Sequence, residues 1–170
     1  MIENSICDSS KNIFKFSSNC DIQNWNIVND DVMGGISRSS FTLSDKGYGV
    51  FKGNVSTENY GGFASVQYLS SPIILENHKY IKLRIKGDGR NYQFRIKHKQ
   101  SDYYSYVKSF STSGEWETIA LKLTDFYPSF RGRKLDSPNF NHESFKQIAF
   151  LISNKRDEFF CLEIDAIYLE

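Results

Sequence analysis

The sequence predicts an all-β fold, a single-domain sandwich or jelly roll of about ten short, mainly antiparallel strands. Three observations predict it. Aromatics make up 15% of the chain, with 14 Phe and 10 Tyr, while the helix former Ala is scarce, and aromatic side chains suit a pleated, half-buried surface. Apolar and polar residues alternate with a period of two, most clearly between Tyr80 and Lys99, as a strand with one buried face requires. Clusters of Gly, Asp, Asn and Ser break these runs at short, regular intervals. At 170 residues one domain can bury roughly 70% of the surface its unfolded chain exposes and needs no staples.

Positions 1 to 10 are polar and are expected to be flexible. Ile13 to Phe16 reads as a first strand. The segment Trp25 to Ser39, W-N-I-V-N-D-D-V-M-G-G-I-S-R-S, is the densest in residues that a plain turn explains poorly. Asp30 and Asp31 repel each other unless donors, cations or solvent accommodate them, and Gly34 and Gly35 permit unusual backbone angles or a close approach. Ile36 to Leu43 and Tyr48 to Val55 form a hairpin turned by Ser44-Asp45-Lys46-Gly47. A second Gly pair, in T-E-N-Y-G-G at Thr57 to Gly62, leads into the strand Phe63 to Tyr68.

Ile81, Leu83 and Ile85 oppose Lys82, Arg84 and Lys86; after Gly87-Asp88-Gly89-Arg90, Tyr92, Phe94 and Ile96 oppose Arg95, Lys97 and Lys99. This reads as a hairpin with one apolar and one strongly basic face. Tyr104 to Phe110 and Glu115 to Leu123 are further strands. Thr124 to Pro138 is a long irregular segment, of a length more often functional than accidental. Asn141 to Phe145 is expected to form a helical turn capped by Asn141, Gln147 to Ile152 a buried strand, and Phe159 to Leu169 a half-exposed closing strand.

A net charge of +1 provides no global field to recruit nucleic acid or a membrane surface, and no apolar stretch approaches the ~18 residues of a membrane span. The expectation is therefore no nucleic-acid partner and no membrane-spanning segment. The first residues lack the basic leader and apolar run of a signal peptide, which favours the cytoplasm unless a leader has been removed, in which case the protein is exported. Cys7, Cys20 and Cys161 read as free thiols, with a Cys7–Cys20 disulfide as the alternative for an exported protein.

A nucleophile elbow, a phosphate-binding Gly loop and an H-E-x-x-H pattern are all missing from the sequence, so no catalytic residue, metal or cofactor is expected. A calcium site at Asp30 and Asp31 would supply oxygen ligands but lacks a known loop spacing. Acid–base work by the same pair needs the loop to bend two oppositely directed side chains together. His78, His98 and His142 read as isolated histidines. The basic face of Lys82, Arg84, Lys86, Arg95, Lys97 and Lys99 admits two readings, a solvated sheet surface or a docking face for an anionic partner. Arg131 and Arg133 suit a bidentate carboxylate contact and are candidates to reach Asp30 or Asp31.

Five ordered motifs carry a family resemblance: V-N-D-D-V-M-G-G-I-S-R-S at Val28 to Ser39, F-K-G-N-V-S-T-E-N-Y-G-G-F-A-S at Phe51 to Ser65, K-G-D-G-R-N-Y at Lys86 to Tyr92, G-E-W-E-T at Gly114 to Thr118, and D-F-Y-P-S-F-R-G-R at Asp125 to Arg133. The closing F-F-C-L-E-I-D-A-I from Phe159 agrees with them. The chain resembles the complex I intermediate-associated protein 30 family from about Phe14 to its end, and departs from the pattern at Leu121-Lys122-Leu123 and at Asp157-Glu158. The resemblance implies a galactose-binding-domain-like jelly-roll β-sandwich. It also implies a non-enzymatic binding or assembly module, with a protein partner such as an assembly intermediate of a respiratory or other membrane complex. A carbohydrate-binding module is the alternative, with an aromatic platform from Tyr60, Trp116, Tyr127 and Phe130. Candidate ligand or partner residues are Asp30, Asp31, Arg38, Asn59, Tyr60, Tyr127, Arg131 and Arg133. The two Gly-pair loops and the F-R-G-R segment are expected to converge at one end or edge of the sandwich.

Overall fold

The computed structural model describes residues 10–170, Val32 by its backbone alone. Expectations for the first residues and for a Cys7–Cys20 disulfide fall outside the described residues. Among the described residues thirteen strands follow in order: β1 (Lys11–Lys15), β2 (Trp25–Ile27), β3 (Arg38–Leu43), β4 (Gly49–Val55), β5 (Ala64–Ile74), β6 (Tyr80–Lys86), β7 (Asn91–Lys97), β8 (Ser105–Ser111), β9 (Trp116–Lys122), β10 (Tyr127–Phe130), β11 (Arg133–Lys134), β12 (Ser144–Ile152) and β13 (Glu158–Leu169). They form two antiparallel sheets. One runs β3-β4-β13-β6-β9 with β1 also paired to β13; the other runs β11-β10-β8-β7-β12-β5-β2. The expected all-β jelly-roll sandwich is the observed architecture.

The inner faces meet in a core of aliphatic and aromatic side chains. Ile81, Leu83 and Ile85 of β6, Leu162, Ile164 and Ile167 of β13, and Phe94, Ile96 and Phe150 from the other sheet are all buried. Trp25 closes one end, its ring stacked between Phe41 and Tyr68 at centroid distances of 5.0 and 4.9 Å. Its indole Nε1 is buried without a hydrogen-bond partner. The β3–β4 hairpin turns at Ser44 to Gly47, where the N–H of Gly47 donates to the carbonyl of Ser44.

The predicted β6–β7 hairpin is not formed. β6 pairs with β13 and β9, whereas β7 pairs with β8 and β12, so the two strands belong to opposite sheets. Gly87 to Arg90 arches over the edge of the core between them. Asp88 holds the arch, accepting from the Tyr92 hydroxyl at 3.0 Å and from the Cys161 N–H at 2.8 Å. Strand alternation is the same for a hairpin and for an arch, because either way the apolar faces end up toward each other. The basic faces consequently point in opposite directions: Lys82, Arg84 and Lys86 on one side of the molecule, Arg95 and Lys97 on the other, while Lys99 falls in the turn after β7.

The expected helical turn at Asn141 to Phe145 is replaced by extended backbone, because Ser144 and Phe145 pair with Ile74 and Ile73 of β5. That pairing draws Phe145 into the core, as the bond from the Phe140 N–H to the Phe126 carbonyl does for Phe140.

Candidate functional site

Asp30 opens a 3-10 turn, Asp30–Met33, and is fully buried. Its Oδ1 accepts the N–H of Ser37 at 2.9 Å. Its Oδ2 accepts the Ser37 hydroxyl, the N–H of Gly62 at 2.7 Å and that of Phe63 at 3.3 Å. The Ser37 hydroxyl in turn accepts the N–H of Ser56 at 2.9 Å. Burial alone would raise the carboxyl pKa, but these hydrogen bonds to the charged form outweigh it and the pKa is lowered. Among the described residues no arginine holds Asp30. The expected Asp30–arginine bridge is thus replaced by neutral donors that enclose both carboxylate oxygens.

Both Gly pairs wrap this carboxylate. A Cβ on Gly35 would stand 2.4 Å from Asp30 Cγ, and one on Gly61 would stand 2.5 Å from Asp30 Oδ2. Asp30 therefore ties the start of β3 to the β4–β5 loop and holds that loop at a fixed height over the seven-stranded sheet.

Beside this tie a groove of about 360 Å³ lies on the outer face of that sheet. Met33 of the 3-10 turn, Tyr60 of the β4–β5 loop, and Arg131 and Gly132 of the β10–β11 turn line it, together with outward residues of β5, β12, β7 and β8. The three loops thus border one groove. Tyr60 is 99% exposed and Met33 56%. Asn59, Tyr60 and Arg131 have φ of 56°, 60° and 50°, left-handed angles that cost a non-Gly residue about 1 to 2 kcal/mol and that aim Tyr60 and Arg131 outward.

The floor is set by register. Gln67 of β5, Ala149 of β12 and Arg95 of β7 stand side by side across three strands, and Ala149, the small member, leaves a slot between two long polar side chains. Gln93, Gln147, Leu151, Ser65, Ser105 and Ser153 complete the floor and flanks. Arg95 Nε and Nη2 both donate to Gln93 Oε1, at 3.0 and 2.7 Å. Burial pushes the Arg95 pKa down, and the proximity of Tyr127 partly opposes this.

The remaining candidates lie elsewhere. Asp31 and Arg38, both exposed, flank a shallow recess with Asn29 and Ser39 at the edge of the six-stranded sheet. Asn59 is exposed at the tip of the Tyr60 loop. The Tyr127 ring lies beneath Lys134 Nζ at 5.5 Å, and Arg133 sits in β11 opposite Phe130. Trp116 belongs to β9 in the opposite sheet, with its ring under Arg84 and against Tyr48, so the expected four-residue aromatic platform does not assemble. Lys97 Nζ donates to the Asp102 carbonyl at 3.0 Å, and Lys82 pairs with Glu170 at 3.7 Å. Lys86 ends β6 in the six-stranded sheet, and Lys99 lies in the turn after β7, where its N–H donates to Asp102 Oδ2 at 3.1 Å.

Sequence reasoning missed the floor. Gln67, Gln93, Gln147 and Ala149 are ordinary outward strand residues, and the only signal was their place in the polar half of an alternation. It also missed a ring pair: His98 and His142, read as isolated, stack in parallel with centroids 3.9 Å apart. Tyr106 Oη lies 3.1 Å from His142 Nε2. Burial and the neighbouring His98 lower the His142 pKa.

Among the described residues no group of three or more His, Cys, Asp or Glu is placed to hold a metal ion, and no helix is long and apolar enough to cross a membrane. Among the groove's described lining residues there is no His, Cys, Asp, Glu or Lys. The arrangement offers hydrogen bonds, apolar contact and positive charge to a bound group.

The family model described as complex I intermediate-associated protein 30 matches residues 14–164. The chain belongs to the complex I intermediate-associated protein 30 family. Curated relatives named as probable mitochondrial complex I intermediate-associated protein 30, from Caenorhabditis briggsae and Caenorhabditis elegans, are each 28% identical to this family member over 91% of its length. It spans about half of theirs, 52% in each case. Among solved structures, the family 11 carbohydrate-binding module of a Clostridium thermocellum cellulosomal cellulase superposes with a TM-score of 0.70 at 18% identity, covering 94% of this chain and 93% of that one. The same module in complex with a mixed-linked tetrasaccharide gives 0.69 at 18% identity, covering 94% of each chain. These likenesses show that this family member shares the carbohydrate-binding-module sandwich fold.

Proposed function

We propose that this chain is a non-enzymatic binding module that holds a protein partner, in an assembly role of the kind its relatives' name describes. The observation that carries the reading is the groove: three loops, one of them tied down by Asp30, border a slot with apolar rims and a hydrogen-bonding floor and with no acid–base pair in its lining. Exposed large apolar residues around a concavity are a common mark of a partner site. Partners captured on the tagged protein from its native cell and identified by mass spectrometry test this. A defined partner on the wild type that is lost on the double variant Met33→Ala, Tyr60→Ala is the expected result. Equal recovery on both proteins, or nothing above background on either, overturns it.

A carbohydrate is the second reading, favoured by the exposed Tyr60 ring beside three glutamines, since sugars are bound by aromatic faces and amide hydrogen bonds. A glycan array decides it; silence across neutral and acidic glycans removes it.

A further inference from the structure

The groove holds two arginines, Arg95 at its floor and Arg131 at its rim, and among the described residues neither forms an ion pair. On the same strand as Arg95, Lys97 donates to the carbonyl of Asp102. Arg95 is half-buried, forms no ion pair among the described residues, and makes its hydrogen bonds to the neutral Gln93 amide. Those bonds use two of its five N–H donors and fix the plane of the guanidinium, leaving the outer donors over the slot beside Ala149. A second guanidinium, that of Arg131, stands at the rim 5.2 Å from the Phe130 ring, and the lining contains no carboxylate to balance either charge. A charge withdrawn from water without a counter-ion is costly, and one already oriented by its neighbours is suited to take an anion bidentately.

We propose that the groove recognises a carboxylate, with Arg95 as its fixed anchor and the exposed Arg131 as its second contact, presented by an acidic residue in an extended segment of a protein partner. This rests on the binding reading above and names its chemistry. Val28, Met33 and Leu151 provide apolar contact on the flanks, which fits aliphatic residues on either side of the acid better than the hydroxyls of a uronate chain. Gln67 and Gln147 offer both donors and acceptors to the backbone of such a segment.

The test uses the whole chain and three probes: a capped pentapeptide with a central glutamate between two valines, its glutamine twin, and a trigalacturonate. Isothermal titration gives affinities, and the side-chain Nε–Hε resonance of Arg95 reports the contact by NMR. The glutamate peptide is expected to move that resonance and to bind at least about ten-fold more tightly than its twin. This preference should shrink between about 50 and about 500 mM salt. Arg95→Met should abolish the difference between twins, and Arg131→Ala should reduce it several-fold. The twin comparison is made on the wild-type protein, so it stands even if Arg95→Met fails to fold. Equal binding of the twins, no shift from either up to about 10 mM, or a shift from trigalacturonate alone each overturns the proposal. If the cellular partner depends on Met33 and Tyr60 while the twins bind equally, the carboxylate anchor fails and the binding reading stands; if no partner is captured, the binding reading fails whatever the peptides do.

Discussion

Asp30 shows how a motif that resembles a site in sequence becomes a structural tie. Its charge is held by three backbone N–H groups and one hydroxyl, so Asp30→Asn replaces an acceptor with an amide that faces donors. The expected cost is about 2 to 4 kcal/mol, or a fall in Tm of roughly 5 to 15 °C, measured by thermal denaturation. The glycines separate space from backbone angle. Gly61→Ala drives a methyl into Asp30 Oδ2 and should cost about 1 to 3 kcal/mol. Gly34, with φ of 90° but nothing within 4 Å of its missing Cβ, should lose only about 1 kcal/mol as Ala. Equal losses would show that the carboxylate does not set the demand for glycine. Adjacent acids and paired glycines were visible in the sequence as anomalies. Their common cause was not, since Ser37 lies 7 and Gly62 lies 32 residues from Asp30 and nothing local joins them.

Strands and turns were legible wherever one face is buried and the other wet. The alternation in β6 and β7 identified both elements yet could not say whether they share a sheet, because an arch and a hairpin impose one pattern. Gly87 carries the difference: a Cβ there would lie 2.2 Å from Thr112 Cβ, a contact between elements that periodicity does not encode. The Tyr60 turn makes a prediction at this scale. Tyr60→Gly relieves left-handed strain of about 1 kcal/mol while giving the unfolded chain a comparable entropy, and the exposed ring adds little to packing. Tm should move by no more than about 2 °C while partner capture falls. A large loss of Tm would show that the ring serves the fold.

For the molecule as a whole, two carboxylates and a histidine link stability to pH. The Asp30 pKa is lowered, so its contribution is complete above the unfolded-state value of about 3.9 and is lost as pH falls through the lower folded value. The exposed Asp157 follows the same direction through its bonds from Thr57. His142 is also lowered, and its unfolded form takes up a proton near pH 6.5 before the folded form does. Stability therefore starts to decline as pH drops below about 6.5 and declines further below about 4. Tm measured from pH 8 to pH 3 should show both stages, with His142→Gln removing the first.

The strand β1 lies against β13, pairing Lys11 with Leu169 in the sheet opposite the groove. The first and last described strands thus lie side by side on the back of the sandwich. A circular permutant that joins Glu170 to Lys11 through a short linker and opens at Gly114, a turn residue with φ of 89°, should fold with the groove unaltered, since neither the seam nor the new ends touch it.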